Sequence, residues 1–212
     1  MSEVISDNMG YQAKNMRKIE LEEIKQRCLE ILSYIDDICR KNEIQYYLAY
    51  GTLLGSVRHQ GFIPWDDDID ICMTRENYYK FKKVIAEDKT TPFKLLYVDT
   101  EKNYTLPLPK VVDTRTSLSI LSQKEKMKLG VFVDVFILDN VPDDDKLREK
   151  FFKKLEFYQR LWTISQYKRV KLQNPKFKTR VRRILETGIY LTNPRFFAKK
   201  LDKIAKKYYG TE

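Results

Sequence analysis

The segment from Gly51 to Ile71, GTLLGSVRHQGFIPWDDDIDI, sets the reading of the whole chain. It places four carboxylates, Asp66, Asp67, Asp68 and Asp70, within five residues at the entry to the apolar run 69–73. Like charges a few ångströms apart repel and raise one another's pKa, a conflict that a cation resolves. In an extended strand alternate side chains share a face, so Asp68 and Asp70 project together with Cα atoms about 6.5 to 7 Å apart. Both can reach one Mg²⁺, a hard ion that takes oxygen ligands and keeps waters for substrate phosphates. The same acids would also serve as a solvated strand end, and DDDID alone does not choose between the two. A calcium loop is excluded: Ile71 stands where that loop requires glycine and Asn77 where it requires glutamate.

Working outward, apolar residues at Leu21, Ile24, Cys28, Ile31, Leu32, Ile35, Ile38 and Cys39 recur near every 3.6 positions and predict an amphipathic helix over 19–39. The aromatic run 45–50 predicts a buried strand, followed by a glycine-rich loop to Pro64. A strand over 69–73 leads into a helix to about residue 86, with Thr74 as its N-cap. Further strands are expected over 93–98, 108–112 and 131–138, the last carrying Asp134 inside VFVDVFIL. This is an α/β order. Beyond Pro142 the pattern is helical only, over 147–162 and 177–191 and again after Asn193-Pro194, where an N-cap precedes proline at the first helical position. The expected organisation is an N-terminal arm over 1–18, an α/β (α+β) catalytic domain over 19–141 with a mixed sheet flanked by helices, and a C-terminal helical subdomain over 142–212.

The 212 residues, 42% hydrophobic and with 14 Tyr and 11 Phe, can bury a core, which excludes a disordered or low-complexity chain. No run reaches the roughly 20 apolar residues of a membrane span, and the N-terminus lacks the basic start and apolar stretch of a leader, so a cytoplasmic protein is expected. Cys28, Cys39 and Cys72 form no CxxC pair and suit reduced, buried positions. The net charge of +10 is uneven: residues 1–140 carry 20 basic against 22 acidic groups, residues 141–212 carry 20 against 8. Such a basic segment can meet anionic lipid, nucleic acid or a polyanionic substrate.

Other groups accompany the acidic cluster. Gly55-Ser56, separated from Asp68 by eleven residues, is read as following a strand and opening a short helix, so that its N–H groups and hydroxyl hold a phosphate. Asp134 in mid-strand is costly unless paired or metal-bound, and suits a third ligand or a general base. Arg58 offers a bidentate fork to phosphate, and His59 is the sole histidine. Lys110 and Arg115 are further phosphate candidates whose default is a solvated surface charge, Asp113 and Asp139 are turn or strand-end residues, and Trp65 and Phe62 are expected to pack the loop.

The order Gly55-Ser56, Asp68-Ile69-Asp70-Ile71 and a later strand Asp134 resembles the metal-site pattern of the nucleotidyltransferase fold. The strings GTLLGSVRHQGFIPWDDDID and GVFVDVFILDNVP closely resemble the LicD family of phosphocholine transferases, to which the fukutin-related proteins are also similar. The resemblance covers about residues 30 to 145. It implies Mg²⁺-dependent (or Mn²⁺-dependent) transfer of phosphocholine or a related phospho-alcohol from CDP-choline or a similar CDP-alcohol. The acceptor would be a sugar or polyol hydroxyl of a cell-surface glycan, lipid-linked glycan or teichoic acid precursor. Asp68, Asp70 and Asp134 would be the metal carboxylates, and Gly55 and Ser56 the phosphate-holding turn. Family members continue past the position of Tyr209, which implies a short member or a trimmed chain. With lipid-linked acceptors, the basic tail implies peripheral contact with the anionic inner face of the membrane; nucleic acid is not an expected partner. A nucleotidyltransferase moving a nucleoside monophosphate from a triphosphate, and a non-catalytic membrane or nucleic-acid binding module, are the alternatives.

Overall fold

A computed structural model describes residues 3–6, 17–119, 127, 129–168 and 177–210. Two short strands, β1 (Glu3–Ser6) and β2 (Arg17–Lys18), precede helix α1 (Leu21–Lys41). Strand β3 (Tyr47–Leu48), helix α2 (Tyr50–His59), strand β4 (Ile69–Thr74) and helix α3 (Arg75–Glu87) follow. Then come β5 (Phe93–Leu96), β6 (Lys110–Asp113), β7 (Thr116–Ser119) and β8 (Phe132–Leu138). The chain continues through α4 (Asp145–Gln166), α5 (Phe177–Leu185), α6 (Thr187–Tyr190) and α7 (Pro194–Ala205), with a last 3-10 turn at Lys206–Tyr208.

The main sheet has the order β3-β4-β8-β6-β5 and is mixed: β4 and β8 are parallel, while β3, β6 and β5 pair antiparallel to their neighbours. This agrees with the expected α+β class. Alternation divides its two faces. Ile69, Ile71, Met73, Val133 and Val135 are buried at 1% exposure or less and form one side of the core, against which α1 and α3 pack. The stripe Cys28, Ile31, Ile35, Ile38 and Cys39 that predicted α1 is buried there. Burial pushes the Cys28 thiol up to about 12, so it packs as a neutral, apolar group. Opposite lies the face bearing Asp70, Asp134 and Lys110.

Two caps follow the expected chemistry: the Thr74 side chain accepts the Asn77 N–H at the start of α3, and the Asn193 side chain accepts the Arg195 N–H ahead of Pro194 in α7. Helices α4 and α7 share the core with the sheet. Trp162 of α4 and Phe197, Ala198 and Leu201 of α7 join the same buried cluster as the sheet. Buried Arg75 binds Asp139 bidentately at 2.8 and 2.6 Å and reaches Asp202 of α7 at 2.9 Å. Tyr97 donates to the same Asp202 oxygen at 2.8 Å, and Trp162 Nε1 donates to the Thr105 carbonyl at 2.8 Å.

Two expectations are corrected. The glycine-rich loop over 51–64 is largely helix, because α2 runs from Tyr50 to His59 and shortens the preceding strand to two residues. The helix expected over 177–191 is two helices, α5 and α6. Within the arm, β1 pairs with β2 and with β7 to form a small second sheet.

Candidate functional site

Register brings the acidic residues together. Asp70 of β4 is the direct neighbour of Asp134 of β8, and Lys110 of β6 is the neighbour of Asp134 on its other side. Side chains in register on adjacent strands share a face. Asp68, Asp70 and Asp134 each offer a carboxylate oxygen, and these oxygens lie within 4.8 Å of one another; Asp66, Asp67 and Asp68 form a second such group. The backbone of Asp70 is clamped from both ends of the β3–α2 junction. Its N–H donates to Thr52 Oγ1 at 2.8 Å, and its carbonyl accepts the Ala49 N–H at 2.9 Å.

The electrostatics follow from that crowding. Asp68 and Asp70 are both pushed up to about 6, first by desolvation and then by the neighbouring carboxylates, with Lys110 pulling the other way. Asp134, 7% exposed, is raised by burial, against the opposing charge and hydrogen bond of Lys110. Lys110 is lowered by its own burial, again against the Asp134 charge. Lys110 Nζ donates to Asp134 Oδ1 and stands 3.4 Å from the centroid of the Phe132 ring. Three carboxylates and one ammonium carry a net charge of about −2 when ionised, and hard oxygen donors at this spacing fit one divalent cation of the magnesium type. The second oxygen of Asp134 would join Asp68 and Asp70 in holding it.

The remaining expected site residues fall into different places. Gly55 and Ser56 lie in the middle of α2, not at its start, so the pair does not form an N-terminal phosphate turn. Gly55 is required for another reason: a Cβ there would sit 2.5 Å from the Gly61 carbonyl, so the glycine lets α2 rest on the loop that leads to the acids. Ser56 Oγ donates back to the Leu53 carbonyl at 2.8 Å. The Asp66 carboxylate lies against Gly51 in the first turn of α2, where negative charge is favoured. Arg58 and His59 are exposed in the last turn of that helix and pair with each other at 3.4 Å. Arg115 sits beyond the far end of β6, its guanidinium bound to Asp113 at 2.9 Å and Glu30 at 3.2 Å.

Lys110 was the least legible of these groups, since a lysine ahead of VVD reads as a surface charge and only the β6–β8 register buries it. Thr52 gave no signal at all. Trp65, expected to pack the loop, is 76% exposed, whereas Phe62 does pack against the core beneath Lys25.

Comparison with known proteins matches residues 43–160 to the family described as LicD/FKTN/FKRP, nucleotidyltransferase domain. A lipopolysaccharide cholinephosphotransferase LicD of Haemophilus influenzae is 37% identical over 140 residues, covering 66% of this chain and 52% of the relative. An uncharacterized protein of Rickettsia prowazekii is 32% identical over 130 residues (61% of this chain, 43% of the relative). One of Rickettsia typhi is 31% identical over 129 residues (61% and 36%). The chain thus matches about half the length, or less, of these curated relatives.

Proposed function

Because the chain belongs to the LicD family through its nucleotidyltransferase domain, we propose that it transfers phosphocholine, or a closely related phospho-alcohol, from a CDP-alcohol to a hydroxyl of a glycan precursor. The observation that supports this most is the convergence of Asp68, just ahead of β4, with Asp70 and Asp134 on the adjacent strands β4 and β8. The relative named as a lipopolysaccharide cholinephosphotransferase suggests the substrate class, and teichoic acid or lipid-linked glycans present the same kind of hydroxyl.

Phosphoryl transfer demands positioning and charge stabilisation more than covalent help from the protein. A bound Mg²⁺ or Mn²⁺ would neutralise charge developing on the diphosphate oxygens, and Asp68, Asp70 and Asp134 are the residues that would hold it. Thr52 and Ala49 fix the strand that carries Asp70. Lys110 holds Asp134 in place and offsets one of the three negative charges. The acceptor hydroxyl oxygen attacks the phosphorus that bears the alcohol, and the bond to the bridging oxygen breaks, so that CMP leaves. Asp134, raised by burial and tied to Lys110, is the group we propose takes the hydroxyl proton. Exposed Arg58 and His59 are proposed to meet the donor's outer phosphate or the acceptor, and the basic C-terminal helices to hold the enzyme against an anionic membrane. Among the described residues no helix is long and apolar enough to cross one.

The test is choline transfer and CMP release from CDP-choline, with and without EDTA, by wild type and by Asp68→Asn and Asp70→Asn. Metal-dependent CMP release lost in both variants is expected. Pyrophosphate released from nucleoside triphosphates, with CDP-choline left intact, would replace this reading by nucleotidyl transfer.

A further inference from the structure

The face that carries the carboxylates does not end with them. Continuing along β8, Phe136 follows Asp134 on the same side and is the register neighbour of Cys72. There the sheet opens into a cavity of about 660 Å³, roofed by α4 and α7. Lys110, hydrogen-bonded to Asp134, is one of its lining residues, so the cavity and the carboxylate cluster share a wall.

The cavity walls are mainly apolar and aromatic, with Phe136, Trp162, Leu108 and Leu201 among them. Its polar members are largely engaged with one another. Arg75 spends three donors on Asp139 and Asp202, Tyr97 is bound to Asp202, and Trp162 Nε1 is bound to the Thr105 carbonyl. A sugar or a base edge would bury hydroxyl or amide groups against this wall with few partners left for them, which is costly. A trimethylammonium group has no hydrogen-bond donors to satisfy and is attracted by aromatic faces. The volume is within the usual range for a small-ligand site.

We propose that this cavity receives the choline headgroup of the donor, placing its phosphate beside Lys110 and the three carboxylates. The assignment rests on the transferase reading above. Gln159 makes it testable: it lines the cavity, is exposed on α4, and is no part of the carboxylate site.

The experiment is calorimetric titration of CDP-choline and of CDP, both with Mg²⁺, into wild type and into Gln159→Glu, Gln159→Lys and Gln159→Trp, with thermal unfolding as the folding control. The ratio of the two affinities is the readout. Gln159→Glu should favour CDP-choline several-fold relative to CDP. Gln159→Lys should disfavour it by a similar factor, and Gln159→Trp should weaken it while leaving CDP near its wild-type affinity. A ratio that stays flat across all three folded variants, with both ligands bound by wild type, overturns the headgroup assignment alone. Equal losses for CDP and CDP-choline in Gln159→Trp would overturn it in favour of the nucleoside. Failure of wild type to bind either ligand would instead remove the transferase reading on which the assignment depends.

Discussion

Lys110 and Asp134 face each other at 6% and 7% exposure, and most of what distinguishes a working site from an acidic turn depends on that pair. Removing one partner of a buried ion pair strands the other, at a cost of about 3 to 5 kcal/mol. Asp134→Asn is therefore expected to lower stability markedly and to reduce turnover by about 10² to 10⁴-fold, as loss of a general base does. Lys110→Met with Asp134→Asn should recover most of the stability in denaturant titration and none of the turnover. Recovery of turnover in the double variant would make Asp134 a structural residue only. Asp68 and Asp70 predict a pH effect of definite sign. Their folded pKa values near 6 lie above the ordinary 3.8, so between these values the native state binds more protons than the unfolded chain. Their ionisation then costs stability above about pH 6, and the cost is relieved as pH falls through 6 towards 4. Metal-free protein in EDTA should thus melt higher at pH 5.5 than at pH 7.5, and saturating Mg²⁺, which favours the charged forms, should shrink or reverse that difference. A metal-free Tm that falls over the same acidification would contradict the crowded-carboxylate account.

Helix α2 is the element on which sequence and structure part most, and its glycines explain why. Gly51 and Gly55 signal a turn when propensity alone is weighed, yet here each makes room for a neighbour: the Asp66 carboxylate at Gly51 and the Gly61 carbonyl at Gly55. Gly55→Ala would force α2 off that loop; small-to-large changes in packed positions cost about 1 to 3 kcal/mol, and turnover should fall as the Thr52 contact to Asp70 shifts. Ser56→Ala, which loses only a bond back to Leu53 within the same helix, should leave both Tm and KM near wild type. Thermal unfolding and donor kinetics of the two variants check the contrast, and a KM defect confined to Ser56→Ala would restore the phosphate-turn reading. By comparison β4, β8 and α1 are plain in the sequence, because an apolar run broken by single carboxylates and a 3.6-residue stripe both survive tertiary packing unchanged. Strands β1, β2 and β7 span four, two and four residues, too short for periodicity to register. The fate of Lys110 is set by antiparallel pairing between segments more than twenty residues apart, which local pattern does not carry.

For the molecule as a whole, the asymmetry of charge has a structural counterpart. The main sheet belongs to the part with 20 basic and 22 acidic groups, and α4 to α7 belong to the part with 20 and 8. Arg75, Asp202 and Trp162 fasten α4 and α7 to the body of the protein through buried contacts, whereas α5 keeps an uncovered apolar side. Phe177 and Ile184 are 80% and 72% exposed, and Val181 between them is exposed too. Spaced i, i+4 and i+7, the three share one face of α5, while Lys178, Arg182 and Arg183 carry its charge. An amphipathic helix with apolar residues on one side and basic residues on the other lies in a membrane interface, its affinity the sum of buried apolar area and attraction to anionic lipid. Each basic group near such a surface adds about 1 kcal/mol, an attraction that salt screens. The chain should therefore co-sediment with vesicles containing phosphatidylglycerol and far less with neutral ones, and release as salt rises. Phe177→Ser with Ile184→Ser should weaken binding at every salt concentration, because it removes the apolar contribution, whereas Arg182→Gln with Arg183→Gln should weaken it chiefly at low salt. Equal binding to neutral vesicles, or binding indifferent to both pairs of changes, would show that α5 is not the element that meets the membrane.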